Sequence, residues 1–180
     1  MRSNPPVSHF TGEVDLLVRS HQLCPPPRLG VLARVEKYEI LRWLGAGGMG
    51  MALLARDIRS LHQVVVKLLR PELLEEPKLV RRFLVEAQLL QQLEHSNIIK
   101  VLEVADSAGC PFFVMPFAET GSLAQYLGRE QPLGNTLMLR WARQIAEALD
   151  YAHRQGIIHR DIKPSNVLID SQANVLLADF

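Results

Sequence analysis

His159-Arg160-Asp161-Ile162-Lys163-Pro164-Ser165-Asn166, followed at the last two positions by Asp179-Phe180, decides the reading of this chain. Between the two pieces lie Val167-Leu168-Ile169 and Val175-Leu176-Leu177, separated by Asp170-Ser171-Gln172-Ala173-Asn174, a spacing that predicts a β-hairpin. Antiparallel pairing about a tip near Gln172 brings Asn166, just before the first strand, beside Asp179, just after the second. Two adjacent oxygen donors suit a hard cation such as Mg2+, which takes one or two protein ligands and leaves the rest to waters and substrate phosphates. Asp161 then faces the same small volume as a carboxylate able to orient a hydroxyl and accept its proton. Lys163 can neutralise charge on a transferred phosphate. A plain surface turn with an Asn cap would carry any one of these residues, but not this order and spacing.

The stretch resembles the catalytic loop and metal-binding signature of the protein kinases, H-R-D-L-x-x-x-N and then D-F-G, here without the final glycine. That family also has a glycine-rich loop, a lysine on a strand and a glutamate on a helix, and candidates for all three lie upstream in order. Leu44-Gly45-Ala46-Gly47-Gly48-Met49-Gly50 matches G-x-G-x-x-G between extended runs at Tyr38 to Leu44 and Met51 to Ala55. A dinucleotide fold would need a helix directly after the glycines. A short strand and turn there favours a glycine flap over phosphates, since glycine permits close backbone approach.

Val64-Val65-Val66-Lys67-Leu68-Leu69 predicts a buried β-strand, so Lys67 must snorkel or find a counter-charge. The following Leu79 to Leu93 segment has a helical stripe of Leu79, Phe83, Leu90 and Leu93, with Glu86 inside it. A carboxylate on a buried face is costly unless paired. Lys67 and Glu86 are therefore expected to pair, which is also the arrangement by which an active kinase holds the α- and β-phosphates.

The resemblance places a hinge for adenine at Phe112 to Ala118, with Met115 as gatekeeper, the Pro116 carbonyl as acceptor and Ala118 as a second backbone contact. Pro116 lacks an N–H, which costs nothing if that group is unused. Ala52 and Val65 stand where the family normally has valine and alanine. This is read as a compensating exchange that keeps the volume of the adenine pocket. Leu137 to His153 predicts a helix with apolar Met138, Trp141, Ile145, Leu149 and Ala152, stopped at Gly156. The histidines show no ligand spacing with the two cysteines, and His159 reads as a scaffold residue of the loop.

With 180 residues, 48% of them hydrophobic, and a net charge of +1, the chain has no basic nucleic-acid signature. Cys24 and Cys110 make no disulfide framework, consistent with a reducing cytosol and a cytoplasmic location. No apolar run reaches the ~18 residues of a membrane-spanning helix, and no secretory pattern opens the chain.

The fold class implied is α+β and protein-kinase-like: a complete small antiparallel-sheet lobe with one key helix, plus the first part of a helical larger lobe. Residues 1–37, bracketed by prolines, are expected to form a disordered or loosely helical leader. Residues 38–180 form a partial kinase domain: small lobe 38–115, hinge 116–119, start of the larger lobe 120–180. The chain stops before the activation segment and substrate platform, so it is read as a fragment.

The resemblance implies a serine/threonine protein kinase using ATP and Mg2+ on protein hydroxyls, with Lys163 favouring serine/threonine over tyrosine. The alternative is a catalytically inactive nucleotide-binding or protein-interaction remnant. Substrate and oligomeric state stay open.

Overall fold

The extended runs on either side of the glycine cluster build two neighbouring strands of an antiparallel sheet. The computed structural model describes residues 11–19, 22–107, 109–129 and 133–180. They fall into two units, the first reaching Gln88 and resuming at Val101–Phe117, the second comprising Leu89–Lys100 and Ala118–Phe180.

In the first unit, helix α1 (Thr11–Arg19) precedes strands β1 (Ala33–Val35), β2 (Tyr38–Ala46), β3 (Gly50–Asp57) and β4 (Gln63–Leu69). Helix α2 (Pro77–Gln91) follows a 3-10 turn at Pro71–Leu73, and β5 (Glu103–Ser107) and β6 (Cys110–Pro116) complete a six-stranded sheet ordered β1-β2-β3-β4-β6-β5. The sheet curls until its two edges meet. Tyr38 Oη, just after the β1–β2 turn, donates to Glu103 Oε2 on the far edge strand at 2.6 Å, and Lys37 Nζ reaches the same oxygen at 2.7 Å. Burial and the Glu103 hydrogen bond both push the Tyr38 phenol up, which keeps it a donor.

Cross-strand partners share a face, so the register separates two sets. Met51, Leu53, Ala55, Val64, Val66, Leu68, Phe112 and Val114 lie in one core cluster with Tyr38 and Ile40. Ala52, Leu54, Val65, Lys67, Phe113 and Met115 occupy the opposite face.

The leader differs from expectation. Residues 1–10 lie outside the described residues, but α1 inserts Val14 and Leu17, 2% and 0% exposed, into the first cluster together with Leu23, Ala33 and Val35. Gln22 Nε2 donates to the Leu69 carbonyl at 2.9 Å, and Arg28 meets Glu39 at 2.7 Å beside Arg56 at 2.8 Å. These two guanidiniums, Arg56 first, hold the Glu39 carboxyl below its ordinary range. Over its described residues, 11–19 and 22–37, the expected loose leader is thus corrected to an integral layer of the first unit, because a curled sheet has a second apolar face that α1 covers.

The second unit contains α3 (Leu123–Leu127), α4 (Asn135–Arg154) and the hairpin β7 (Val167–Ile169) and β8 (Val175–Leu177). Leu93, Ile98, Trp141, Ala148, Ala152, Val167, Ile169, Val175 and Leu177 form its core. Met138, expected on the packed face of α4, is exposed, and Ala148 is buried instead. Helix α4 ends as expected at Gly156, whose φ of 76° allows Gly156 N–H to donate to His153 and Ile157 N–H to Ala152. Residues 89–100, expected in the small lobe, belong to this unit, since Leu93 and Ile98 bury themselves in its core. Among the described residues no helix is long and apolar enough to cross a membrane.

Candidate functional site

The candidate residues form one group in each unit. In the second unit the predicted hairpin is made, with Val167 opposite Leu177 and Ile169 opposite Val175. Ala178 N–H donates to the Asn166 carbonyl at 2.9 Å, so the ladder extends one step past the strands and sets Asn166 beside the residue before Asp179. The hairpin is braced by residues that the sequence reading missed. Buried Asn97 donates through Nδ2 to the Val175 carbonyl at 2.8 Å and accepts from Leu177 N–H at 2.8 Å. Trp141 Nε1 donates to the Ala173 carbonyl at 2.9 Å, and Val175 N–H donates to Gln144 Oε1 at 3.1 Å. The only sequence signal for Asn97 was a polar residue entering the apolar pair Ile98-Ile99, which reads equally well as a turn.

Asp161, Lys163 and Asn166 are joined directly. Asn166 Nδ2 donates to the Asp161 carbonyl at 2.9 Å and to Asp161 Oδ2 at 3.1 Å. A carbonyl can only accept, so the nitrogen must face it, and the amide oxygen Oδ1 is turned the other way, where it accepts from Ser165 Oγ at 3.4 Å and keeps one lone pair. Lys163 Nζ contacts Asp161 Oδ2 at 2.6 Å. That lysine, followed by the Asn166 hydrogen bond, holds the Asp161 carboxyl below its ordinary value. The carboxylate is consequently ionised, as a proton acceptor requires.

His159 is buried and its Nε2 lies 2.9 Å from the Ala178 carbonyl. That nitrogen therefore carries the proton, leaving Nδ1 to accept from Asp161 N–H at 3.3 Å. Its ring stacks on Phe180 with centroids 4.5 Å apart. The expected scaffold role of His159 matches these contacts: one imidazole ties the loop to the chain around Asp179. Arg160 and Asp179 both take positive φ, 64° and 61°, a conformation that costs a non-glycine residue energy and clusters at functional sites.

In the first unit the glycine-rich segment is the β2–β3 turn: Leu44, Gly45 and Ala46 end β2, Gly47, Gly48 and Met49 turn, and Gly47 N–H donates to the Gly50 carbonyl at 2.8 Å. A side chain at Gly50 would be crowded. A Cβ there would stand 3.1 Å from the Leu68 carbonyl oxygen and 3.3 Å from Lys67 Cε. Ala52 is opposite Lys67, Leu54 opposite Val65, and Val65 opposite Met115, so Ala52, Val65, Lys67 and Met115 share a face. Lys67 Nζ lies 5.5 Å from the centroid of the Phe113 ring. Pro116 ends β6, and in the second unit the Ala118 carbonyl accepts from Gly121 N–H at 3.1 Å.

Glu86 is paired with Arg82 on its own helix, Nε to Oε1 at 2.7 Å. Its side chain is 38% exposed rather than buried, so burial does not by itself demand a Lys67 partner.

A family model for the protein kinase domain matches residues 38–180. The chain belongs to the protein kinase family. The serine/threonine-protein kinase PrkC of Bacillus subtilis is 37% identical over 144 residues, covering 80% of this chain and 22% of PrkC. The serine/threonine-protein kinase PknB of Mycobacterium leprae is 35% identical over 159 residues, covering 86% of this chain and 25% of PknB. Among solved structures, the M. tuberculosis PknI kinase domain superposes with a TM-score of 0.66 at 30% identity, over 80% of this chain and 58% of that domain. The kinase chain described here spans about a quarter or less of the length of these curated relatives.

Proposed function

We propose that this kinase chain carries the nucleotide- and metal-handling part of a serine/threonine protein kinase, which transfers the γ-phosphate of ATP to protein hydroxyls. The observation that carries the reading is the Asp161–Asn166 network, where one amide orients a carboxylate kept ionised by Lys163 and turns its own oxygen away from both. The hairpin ladder brings the Asn166 backbone to the residue before Asp179, and an amide oxygen and a carboxylate are a donor set that fits Mg2+. When bound, that ion would neutralise charge on the phosphate oxygens.

The chain's own residues do the rest. Asp161 orients the incoming hydroxyl and takes its proton at Oδ1 or Oδ2, and Lys163 offsets negative charge at the same place. In the first unit the Gly47–Met49 turn and Lys67 are assigned to the phosphates. Ala52, Val65 and Met115 are assigned to the adenine, with the Pro116 carbonyl and Ala118 N–H as its polar contacts. The division between the units falls at Phe117/Ala118, within the proposed hinge 116–119. Two free cysteines support a cytoplasmic location.

Thermal unfolding with and without Mg-ATP tests the reading. Ligand at about 100 times its Kd stabilises a binding protein by about 2.7 kcal/mol. A melting temperature raised by Mg-ATP and unmoved in Lys67→Met supports the assignment. An unshifted wild-type chain at millimolar Mg-ATP rejects it.

A further inference from the structure

The peptide between Leu69 and Arg70 is held at both of its polar ends by groups distant in sequence. Its carbonyl accepts from Gln22 Nε2 at 2.9 Å, and its N–H donates to the Met49 carbonyl in the glycine turn at 3.0 Å. We propose that Gln22 is a positioning residue for that turn: the leader fixes the Leu69–Arg70 peptide plane, and through it the backbone assigned to the phosphates. The proposal deepens the nucleotide reading of the glycine turn and rests on it.

The strand register explains why a side chain from the leader is needed there. Polar backbone groups of successive strand residues point to opposite neighbours. Leu102 N–H donates to the Val114 carbonyl at 2.7 Å, so Phe112 and Val114 present these groups to the β5 side, and Pro111 and Phe113 present theirs to β4. The β4–β6 ladder pairs Lys67 with Phe113 and Leu68 with Phe112, and its next step sets Leu69 against Pro111. Proline has no N–H, so this internal strand offers the Leu69 carbonyl no donor. Leu69 is fully buried, and a buried carbonyl needs a partner. Gln22, itself 3% exposed, takes the place of the missing ladder donor.

Gln22 is held for this task by its own backbone. Its N–H and that of Leu23 both donate to the Leu17 carbonyl, at 3.0 and 3.1 Å, and Leu17 and Leu23 are buried in the core cluster. The side-chain amide also donates to the thiol of buried Cys110, the neighbour of Pro111. Burial pushes that thiol up to about 12, and the Gln22 hydrogen bond acts in the opposite direction. One amide has two N–H donors, and here they serve β4 and β6 together. On the other side of the peptide, Gly47 and Gly48 leave the turn free to take many backbone conformations. The Arg70 N–H ties Met49 to the end of β4 and so limits where the turn can stand.

Amide hydrogen exchange without nucleotide, and titration with a fluorescent ADP analogue and Mg2+, test this on wild type, Gln22→Met, Val14→Ala and Gln22→Met with Pro111→Ala. Gln22→Met keeps the side-chain length and removes the donor. It should speed exchange of the Arg70 amide relative to the other β3 and β4 amides and raise the Kd of the analogue about two- to tenfold, the range of one hydrogen bond. Val14→Ala loosens the same layer without touching the amide, so it should lower the melting temperature and leave the relative exchange and the Kd unchanged. Pro111→Ala returns a ladder N–H to Leu69, and the double variant should recover both readouts. The proposal is overturned if Arg70 keeps its relative exchange in Gln22→Met, if Val14→Ala raises the Kd as much, or if the double variant stays like Gln22→Met. Should Gln22→Met not fold, Gln22→Glu replaces it, since a buried carboxyl donates only when protonated. Its Kd, divided by that of wild type at the same pH, should fall towards one between about pH 8 and about pH 5. A ratio flat with pH overturns the proposal. Failure of wild type to bind the analogue overturns the nucleotide reading alone, because the Arg70 exchange comparison is made without nucleotide and still decides whether Gln22 holds the turn.

Discussion

The side-chain amide of Asn166 donates to both the main-chain carbonyl and the carboxylate of Asp161, at 2.9 and 3.1 Å, and so fixes the carboxylate relative to its own backbone. Asn166 is buried, whereas the Asp161 side chain is 58% exposed. The pair is therefore anchored at one end and available at the other.

Asn166→Asp tests that anchor. The substitution exchanges the donor for a second carboxylate against the Asp161 carbonyl and carboxylate, leaving buried acceptors opposed. Loss of about 1–3 kcal/mol at pH 7 is expected in urea denaturation. The loss should shrink near pH 4, where one carboxyl of the pair takes up a proton. Equal losses at the two pH values would rule out this electrostatic account.

The Asp161 carboxyl itself gives a second prediction. Lys163 first, then Asn166, hold it below its ordinary value of 3.8. A carboxyl with a depressed folded pKa contributes stability above its unfolded pKa of about 3.9 and loses that contribution as pH falls through the folded pKa. The titration midpoint of Asp161, followed by the carboxyl carbon in NMR, should therefore lie below 3.8 in wild type and rise in Lys163→Met. An unchanged midpoint in the variant would show that Lys163 is not the cause.

A third prediction concerns the leader. Leu17 is fully buried in the cluster beneath the sheet. Leu17→Ala should cost about 2–5 kcal/mol, since both the transferred methyl groups and the cavity left behind count. Leu16→Ala, one residue away and 56% exposed, is the matched control and should cost little. Similar costs for the two would return 11–19 to the loose leader expected from sequence.

That contrast marks what the sequence could and could not disclose. The hairpin from Val167 to Leu177 and the glycine turn were readable because their signals are local: short alternating or apolar runs around polar turns. The same holds for helix α4 and its Gly156 stop. The role of α1 was not readable, since Val14 and Leu17 are buried by strands distant in sequence, and nothing in a nine-residue helix names its cover. Asn97 was missed for the same reason, because its partner Val175 is 78 residues away. The burial expected of Glu86 was not readable either: it has an Arg one turn before it and a side chain 38% exposed.

Gly50 supplies a fourth prediction. The Cβ of Gly50→Ala would press on the Leu68 carbonyl oxygen, which the strand holds, and on the Lys67 stem, which can yield. The displacement should appear as a loss of about 1 kcal/mol in nucleotide binding, roughly a fivefold rise in Kd. Gly48→Ala, where a Cβ meets nothing within 4 Å, should leave both Lys67 and the fold in place. If the two variants bind nucleotide alike, crowding of Lys67 is not what Gly50 prevents.

The exchange of Ala52 and Val65 gives the last. Ala52 faces Lys67 and Val65 faces Leu54 across the same strand pair, so the two are diagonal neighbours on one face, with Val65 also opposite Met115. At that separation, side chains of this size share one packing volume. Ala52→Val alone adds two methyl groups to a face that already holds the larger residue at 65, and overpacking of this kind costs about 1–3 kcal/mol. Nucleotide affinity should fall accordingly, about fivefold or more. Ala52→Val with Val65→Ala restores the total volume and should return affinity to near the wild-type value. Calorimetry of Mg-ADP binding to the three proteins decides it: a single variant that binds as well as the double would mean that these positions line separate volumes and that their exchange compensates for nothing.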